Sequence, residues 1–268
     1  MKKYELTTTM IMHRGKKLFQ IKAIISFGSV KEGDLGGFIE KEDNLSQSGN
    51  AWVFGNARVY GNAKVSSNAE VFDDASVYGN AEVSGDAKVY GNARVFDDAK
   101  VYGNARAFDD ARVYGSARVY DNAEVSGDAK VFDYARVFDD ARAFDDASVS
   151  GNAKVYGNAR AFDNASVYGN AKVYGNARVF DNAKVYGNAR AFDDARVSGS
   201  ARVYDNAEVS GDAKVFDYAR VFDDARAFDD ASVYGNVEVY GNASVYGDAE
   251  VYGYARVHGN AEVSGECY

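Results

Sequence analysis

Two histidines, His13 and His258, and one cysteine, Cys267, are the only imidazole and thiol groups in the chain. General-base chemistry needs such a group within hydrogen-bond reach of the proton it takes, and a cysteine zinc cage needs several thiolates. Both chemistries therefore start from almost nothing. Carboxylates are plentiful, and they recur at a fixed spacing. Asp194, Asp212, Asp230 and Asp248 stand at one constant interval with Glu266 next in the series, and Asp145, Asp163 and Asp181 form a second series. Like charges held in file repel, which calls for compensation by neighbouring cations, by a bound metal such as calcium, or by a basic protein that would otherwise hold nucleic acid. The calcium-binding nonapeptide GGxGxDxUx is absent, and no metal or other cofactor is expected.

Aromatic residues recur in the same way. Tyr102, Tyr120, Phe138, Tyr156, Tyr174 and Phe192 make one series at that interval, and Tyr168, Tyr186, Tyr204, Phe222 and Tyr240 make another. If each series is a file on the surface, its rings stack on their like neighbours and lie beside Lys and Arg. Files of this length would expose more apolar surface than a monomer usually carries. That points to self-association along a face, or to a protein partner.

These series exist because most of the chain is one six-letter word, as in VYGNARAFDDAR from Val101 to Arg112. The word runs without insertion or deletion from Val53 to Val263, giving 36 consecutive hexads. Position 1 is Val, or Ala at 107, 143, 161, 191 and 227; position 5 is Ala except at Val237 and Cys267. Position 2 is aromatic in 28 hexads, position 3 is Gly or Asp with few exceptions, position 4 is usually Asn or Asp, and position 6 is Lys or Arg in 23. In a stretch such as ARVY, Ala and Val share one face while Arg and the aromatic share the other, the alternation of a strand half-buried on its small residues. The pair that follows, GN, DD or DN, is turn chemistry, because Gly, Asn and Asp tolerate the left-handed region. Each hexad is thus a short strand and a corner. Three corners close a triangle, so one coil is three hexads, and every series named above steps by one coil. Twelve such coils at a strand spacing of about 4.8 Å would give a rod of roughly 58 Å.

The pattern of aliphatic, turn pair, small residue resembles the hexapeptide repeat of left-handed parallel β-helices over residues 53–268. Handedness comes from that resemblance alone, since parallel crossovers are in general right-handed; a right-handed solenoid of the bactofilin kind is the structural alternative. The segment LFQIKAIISFGSVKEGDLGGFIEKEDNLSQSGNAWVFGNA further resembles the head of YdcK-like hexapeptide-repeat proteins of bacteria and their prophages. The resemblance implies an all-β parallel β-helix solenoid and a bacterial, prophage or phage origin. It also brings an enzyme hypothesis, since many left-handed β-helices are acyltransferases that place a basic histidine and a loop excursion at a cleft between subunits. The hexads here hold no excursion, and His258 occupies a position 2 where Tyr or Phe normally stands, so its plainer reading is a surface substitution.

Residues 1–34 are expected to form a β-hairpin cap, with YELTTTMIM paired to LFQIKAIISF (Leu18 to Phe27) across HRGKK, followed by a loop VKEGDLGG. The β-helix is then expected over 35–268, with a degenerate first coil over 35–52 in which Leu35 and Ile39 point inward, and Trp52 packs at the junction. A polar cap of this kind protects the open edge of a solenoid. Cys267 falls at an inward position 5, where an inert buried thiol is expected.

A net charge of −9 disfavours direct binding to nucleic acid or to an anionic membrane. No signal peptide or membrane span is visible, and the cysteine count excludes a disulfide framework, so a cytoplasmic address is expected. Residues 107–149 are repeated at 191–233 with a single difference, Tyr114 against Ser198. That offset is 14 hexads, which is not a multiple of three, so the copy lands on another face of the triangle. A catalytic groove on one face would be broken by such a duplication. The reading is a non-catalytic rod that binds itself or another protein, with a phage anti-defence inhibitor, mimicking nucleic acid through its acidic files before a basic host protein, as the alternative.

Overall fold

The computed structural model describes residues 2–265; Glu266 and Cys267, named above, lie outside the described residues. The chain divides into two compact units, 1–128 and 129–268. In the first unit, strands β1 (Tyr4–His13) and β2 (Lys16–Ala23) form an antiparallel hairpin, and β2 also pairs antiparallel with β3 (Leu35–Ile39). From β3 onward the pairing is parallel, Phe38 opposite Arg58 and Ile39 opposite Val59. The hairpin therefore extends one sheet of the solenoid.

The remaining strands of both units are very short and consist chiefly of positions 6 and 1 of successive hexads, from Trp52–Val53 to Glu262–Ser264. Each pairs in parallel with the strand three hexads on, as Lys88 with Arg106 and Val89 with Ala107 in the first unit, and Arg160 with Arg178 in the second. Three parallel sheets result in each unit. The coil-to-coil bonds run one way. In the coil at Lys172, the amides of Lys172, Tyr174 and Asn176 donate to the carbonyls of Ala189, Ala191 and Asp193 at 3.0, 3.0 and 2.7 Å, while Ala177 N–H closes the corner onto the Tyr174 carbonyl at 3.4 Å.

The expected inward faces are the observed ones. Every position 1 and position 5 residue from Val53 to Ala249 has no exposed surface, so the core is a narrow column of Val and Ala. The corners turn because position 3 takes a positive φ in every hexad, between 54° at Asp163 and 80° at Gly235. Only Gly, Asp and the single Ser67 occupy it. Gly has no Cβ to clash there, and Asp is among the few other residues that enter this region readily. A Cβ added to Gly175 would lie 2.8 Å from the Asp193 amide nitrogen.

Two expectations about the head fail for local reasons. The second hairpin strand stops at Ala23 instead of reaching Phe27, because the chain bends: Ala23 N–H bonds the Asp34 carbonyl, Ile24 N–H bonds the Lys3 carbonyl, and Phe27 pairs with Val30 across a tight loop. Leu35 points outward and is 59% exposed, while Ile39 is buried as expected. Gly36 and Gly37 beside Leu35 are buried within β3. A Cβ on Gly36 would meet Ile21 Cγ1 at 2.6 Å, so no side chain fits there. The first coil is also longer than the three-hexad coils that follow it, with Ile39 and Leu45 opposite Val59 and Val65.

At the head, Trp52 is 1% exposed and packs edge-on against Phe27 and Tyr4, the junction role expected of it. Lys3 is 2% exposed, and its ammonium donates to the carbonyls of Gly49 (3.1 Å) and Ala51 (2.8 Å) with the Phe27 ring 4.7 Å away. It satisfies carbonyls that no preceding coil can reach. Burial lowers its pKa to about 8.

Two outcomes follow. Lys3 has a folded pKa below that of the free side chain, so between about pH 8 and pH 10 the unfolded chain holds a proton the folded chain has released, and stability rises with pH. Relative to Lys3→Met, the unfolding free energy of the native chain should increase by on the order of 2 kcal/mol across that window in denaturant titrations; a flat difference contradicts this reading of Lys3. At the corners, the test belongs at Gly55, where an added Cβ would meet nothing nearer than 3.8 Å: Gly55→Asn should cost less than about 1 kcal/mol and Gly55→Val well over about 2 kcal/mol in thermal unfolding, since a β-branched residue at φ +55° is strained where Asn is tolerated.

Candidate functional site: aromatic and acidic ladders

The three-hexad register brings position 2 side chains into direct contact. Tyr102 stacks on Tyr120 in the first unit at 5.0 Å between ring centroids and 2° between planes. In the second unit Phe138, Tyr156, Tyr174 and Phe192 stack at 4.9 to 5.0 Å. The other series holds equally well, with Tyr168, Tyr186, Tyr204, Phe222 and Tyr240 at 4.8 to 5.0 Å. His258 ends that series, its ring 5.3 Å from Tyr240 and 22° from parallel, so it takes the place of an aromatic ring in the stack.

The rings are half-buried throughout both series, because each covers the face of the next and only the rims reach solvent. The exposed apolar area is thus smaller than a count of aromatics suggests. Burial also raises the pKa of the phenols of Tyr156, Tyr168, Tyr174, Tyr186 and Tyr204. A third face carries ladders that the sequence reading passed over, Phe72, Tyr90 and Phe108 in the first unit and Phe144, Phe162 and Phe180 in the second, stacked at 4.8 to 5.0 Å. The same three-hexad spacing would have found them. The most exposed aromatics are corner residues at position 4, Tyr134, Tyr218 and Tyr254, at 66, 65 and 85%.

The two acidic series differ in what they do. Asp145, Asp163 and Asp181 are corner residues with φ of 55°, 54° and 58°. The carboxylates of the latter two face the amide of the next corner: Asp181 Oδ2 accepts from Gly199 N–H at 3.0 Å, and Asp163 Oδ2 from Asp181 N–H at 3.5 Å. Asp217, Asp223 and Asp229 repeat the contact. Part of the compensation this acidic series needs is therefore backbone amide. In the other series only Asp194 has a side-chain partner, the Asn176 amide at 3.1 Å. Asp212, Asp230 and Asp248 are exposed, and no hydrogen bond or ion pair among the described residues reaches their carboxylates. Elsewhere the position 4 corners carry amide ladders, such as Asn152, Asn170, Asn188 and Asn206, each donating to the next and the last to Asp224. Asp ends the chain of bonds because it only accepts.

The outward charges at position 6 pair along the files, Lys100 with Glu82 and Arg190 and Arg226 with Glu208. Among the described residues no group of three His, Cys, Asp or Glu converges as a metal site, and no helix is long and apolar enough to cross a membrane.

Residues 171–187, one coil of the second unit, match the family model of the YdcK beta solenoid repeat. A comparison with curated proteins found no match. Among solved structures the chain is similar to a UDP-N-acetylglucosamine acyltransferase of Arabidopsis, with 13% identity over 72% of this chain and 70% of that one and a TM-score of 0.32. So slight a likeness says nothing of chemistry. The YdcK match, the hexads and the parallel coils agree on a β-solenoid repeat protein.

Proposed function

We propose that this YdcK-type solenoid is a non-catalytic element that works through its lateral faces, binding protein, with further copies of itself as the first partner to test. The observation that carries this reading is the aromatic file from Tyr168 to Tyr240, five stacked rings whose half-exposed rims run along one face. Aromatic rims beside arginine are the composition of protein interfaces, and a file that repeats by translation suits a partner with the same repeat. The exposed corner residues Tyr218 and Tyr254 add apolar surface to the same unit. With one cysteine the chain has no need of an oxidising compartment, which favours the cytoplasm.

A second reading draws on Asp212, Asp230 and Asp248, which are exposed and lack partners among the described residues. Carboxylates in file can stand in for phosphates before a basic nucleic-acid-binding protein, as a phage-encoded inhibitor of host defence would require.

The two readings separate cleanly. Replacing Tyr186 and Tyr204 of that file together by serine should weaken self-association or protein capture about tenfold or more with little dependence on salt; an unchanged mass by light scattering and unchanged capture would sink the aromatic reading. Replacing Asp212 and Asp230 by asparagine should matter only if the partner is basic, and the affinity of that partner should then fall steeply between low and high salt. A partner that binds the asparagine variant as tightly as the native chain removes the acidic reading.

A further inference from the structure

The tip of the head hairpin folds back over the second and third coils of the first unit. His13 meets Tyr60 edge-on at 5.3 Å between centroids, and the Arg14 guanidinium lies over the Tyr78 ring at 5.3 Å. Beneath the tip, position 6 of successive coils reads Arg58, Ser76, Arg94. The short serine between two arginines leaves a hollow, and the hairpin tip roofs it to form a cleft of about 450 Å³. Three guanidiniums, those of Arg14, Arg58 and Arg94, and the His13 imidazole line it, against two carboxylates, Asp74 and Asp110.

The cations there are poorly matched from within the protein. Arg58 reaches Asp74 only at 3.9 Å, and its Nε is buried with no hydrogen-bond partner. Tyr60 is 5% exposed, and its buried hydroxyl, which lies beside the Arg14 guanidinium, has no acceptor for its proton. Two buried donors left without acceptors carry a substantial penalty unless something accepts from them. Burial, together with Arg58 and Arg14, also holds the His13 pKa below its usual value, the mark of a site already crowded with positive charge.

We propose that this cleft binds a single oxyanion, the carboxylate or phosphate group of a small ligand, which accepts hydrogen bonds from Tyr60 Oη–H and Arg58 Nε–H and is enclosed by Arg14 and Arg94. The groups supply hydrogen-bond donors and a positive balance of one charge with His13 neutral, which suits one anionic group better than a polyanion. The site is independent of the lateral faces and belongs to the head.

The test is calorimetric titration of the full chain at low ionic strength with inorganic phosphate and, separately, with acetate. Saturable one-site binding of either supports the site and tells which group it takes. Tyr60→Phe should weaken that binding about tenfold while keeping the ring stack, and in anion-free buffer it should unfold no earlier than the native chain, because it removes a buried hydroxyl without a partner. Arg14→Asn is the second variant, chosen because Asn accepts the positive φ of 49° at that turn, and it should weaken binding by a similar factor. Absence of saturation by both anions, or equal binding by the native chain and both variants, overturns the proposal and leaves water as the occupant of the cleft.

Discussion

The chain can turn at every hexad only because position 3 adopts a positive φ. A coil of three straight segments needs three sharp corners, and any residue with a bulky β-carbon resists that backbone. Gly meets the requirement by having no side chain. Asp meets it at some conformational cost and returns a carboxylate that accepts the amide of the next corner, as Asp181 does from Gly199. Once corners recur at a strict interval, the parallel bonds between coils, the Val and Ala column and the stacked outer side chains all follow from the same register.

That register makes the surface a translation of itself. Each side chain finds its own kind, or its charge partner, about one strand spacing away. Rings cover rings, amides bond amides, and lysine or arginine meets glutamate along the file. The arrangement stabilises each face locally and leaves little that is singular. Singularity appears where the repeat is broken, at the head, where the hairpin and the long first coil interrupt it. Both the buried Lys3 and the cleft beneath the hairpin tip lie at that break, and both involve polar groups with no equivalent in the repeat.

The hexads carried most of the architecture in plain view. Alternation of ARVY assigned Val and Ala to the inside and the aromatics and arginines to the outside, and the three-hexad interval predicted which rings stack. The head was less legible. Leu35 and the far end of the second hairpin strand were misplaced because their positions depend on contacts with Ile21, Lys3 and Asp34 that no periodicity announces. The acidic series were found, but the difference between them was not. Whether a carboxylate is consumed by a backbone amide or left free depends on its place at the corner and on the conformation that place imposes.

The sequence by itself determined the solenoid, its coil length, its core and the membership of its ladders, because all of these rest on local conformational preference and short-range alternation repeated without error. Only the tertiary structure decided how much of each ladder remains exposed, which aspartates are bonded, and that the hairpin tip lies over Tyr60 and Tyr78 to enclose a cationic cleft. Those outcomes depend on contacts between segments far apart in the chain, and the free energy of such contacts is set by packing and desolvation in three dimensions, which spacing along one dimension does not encode.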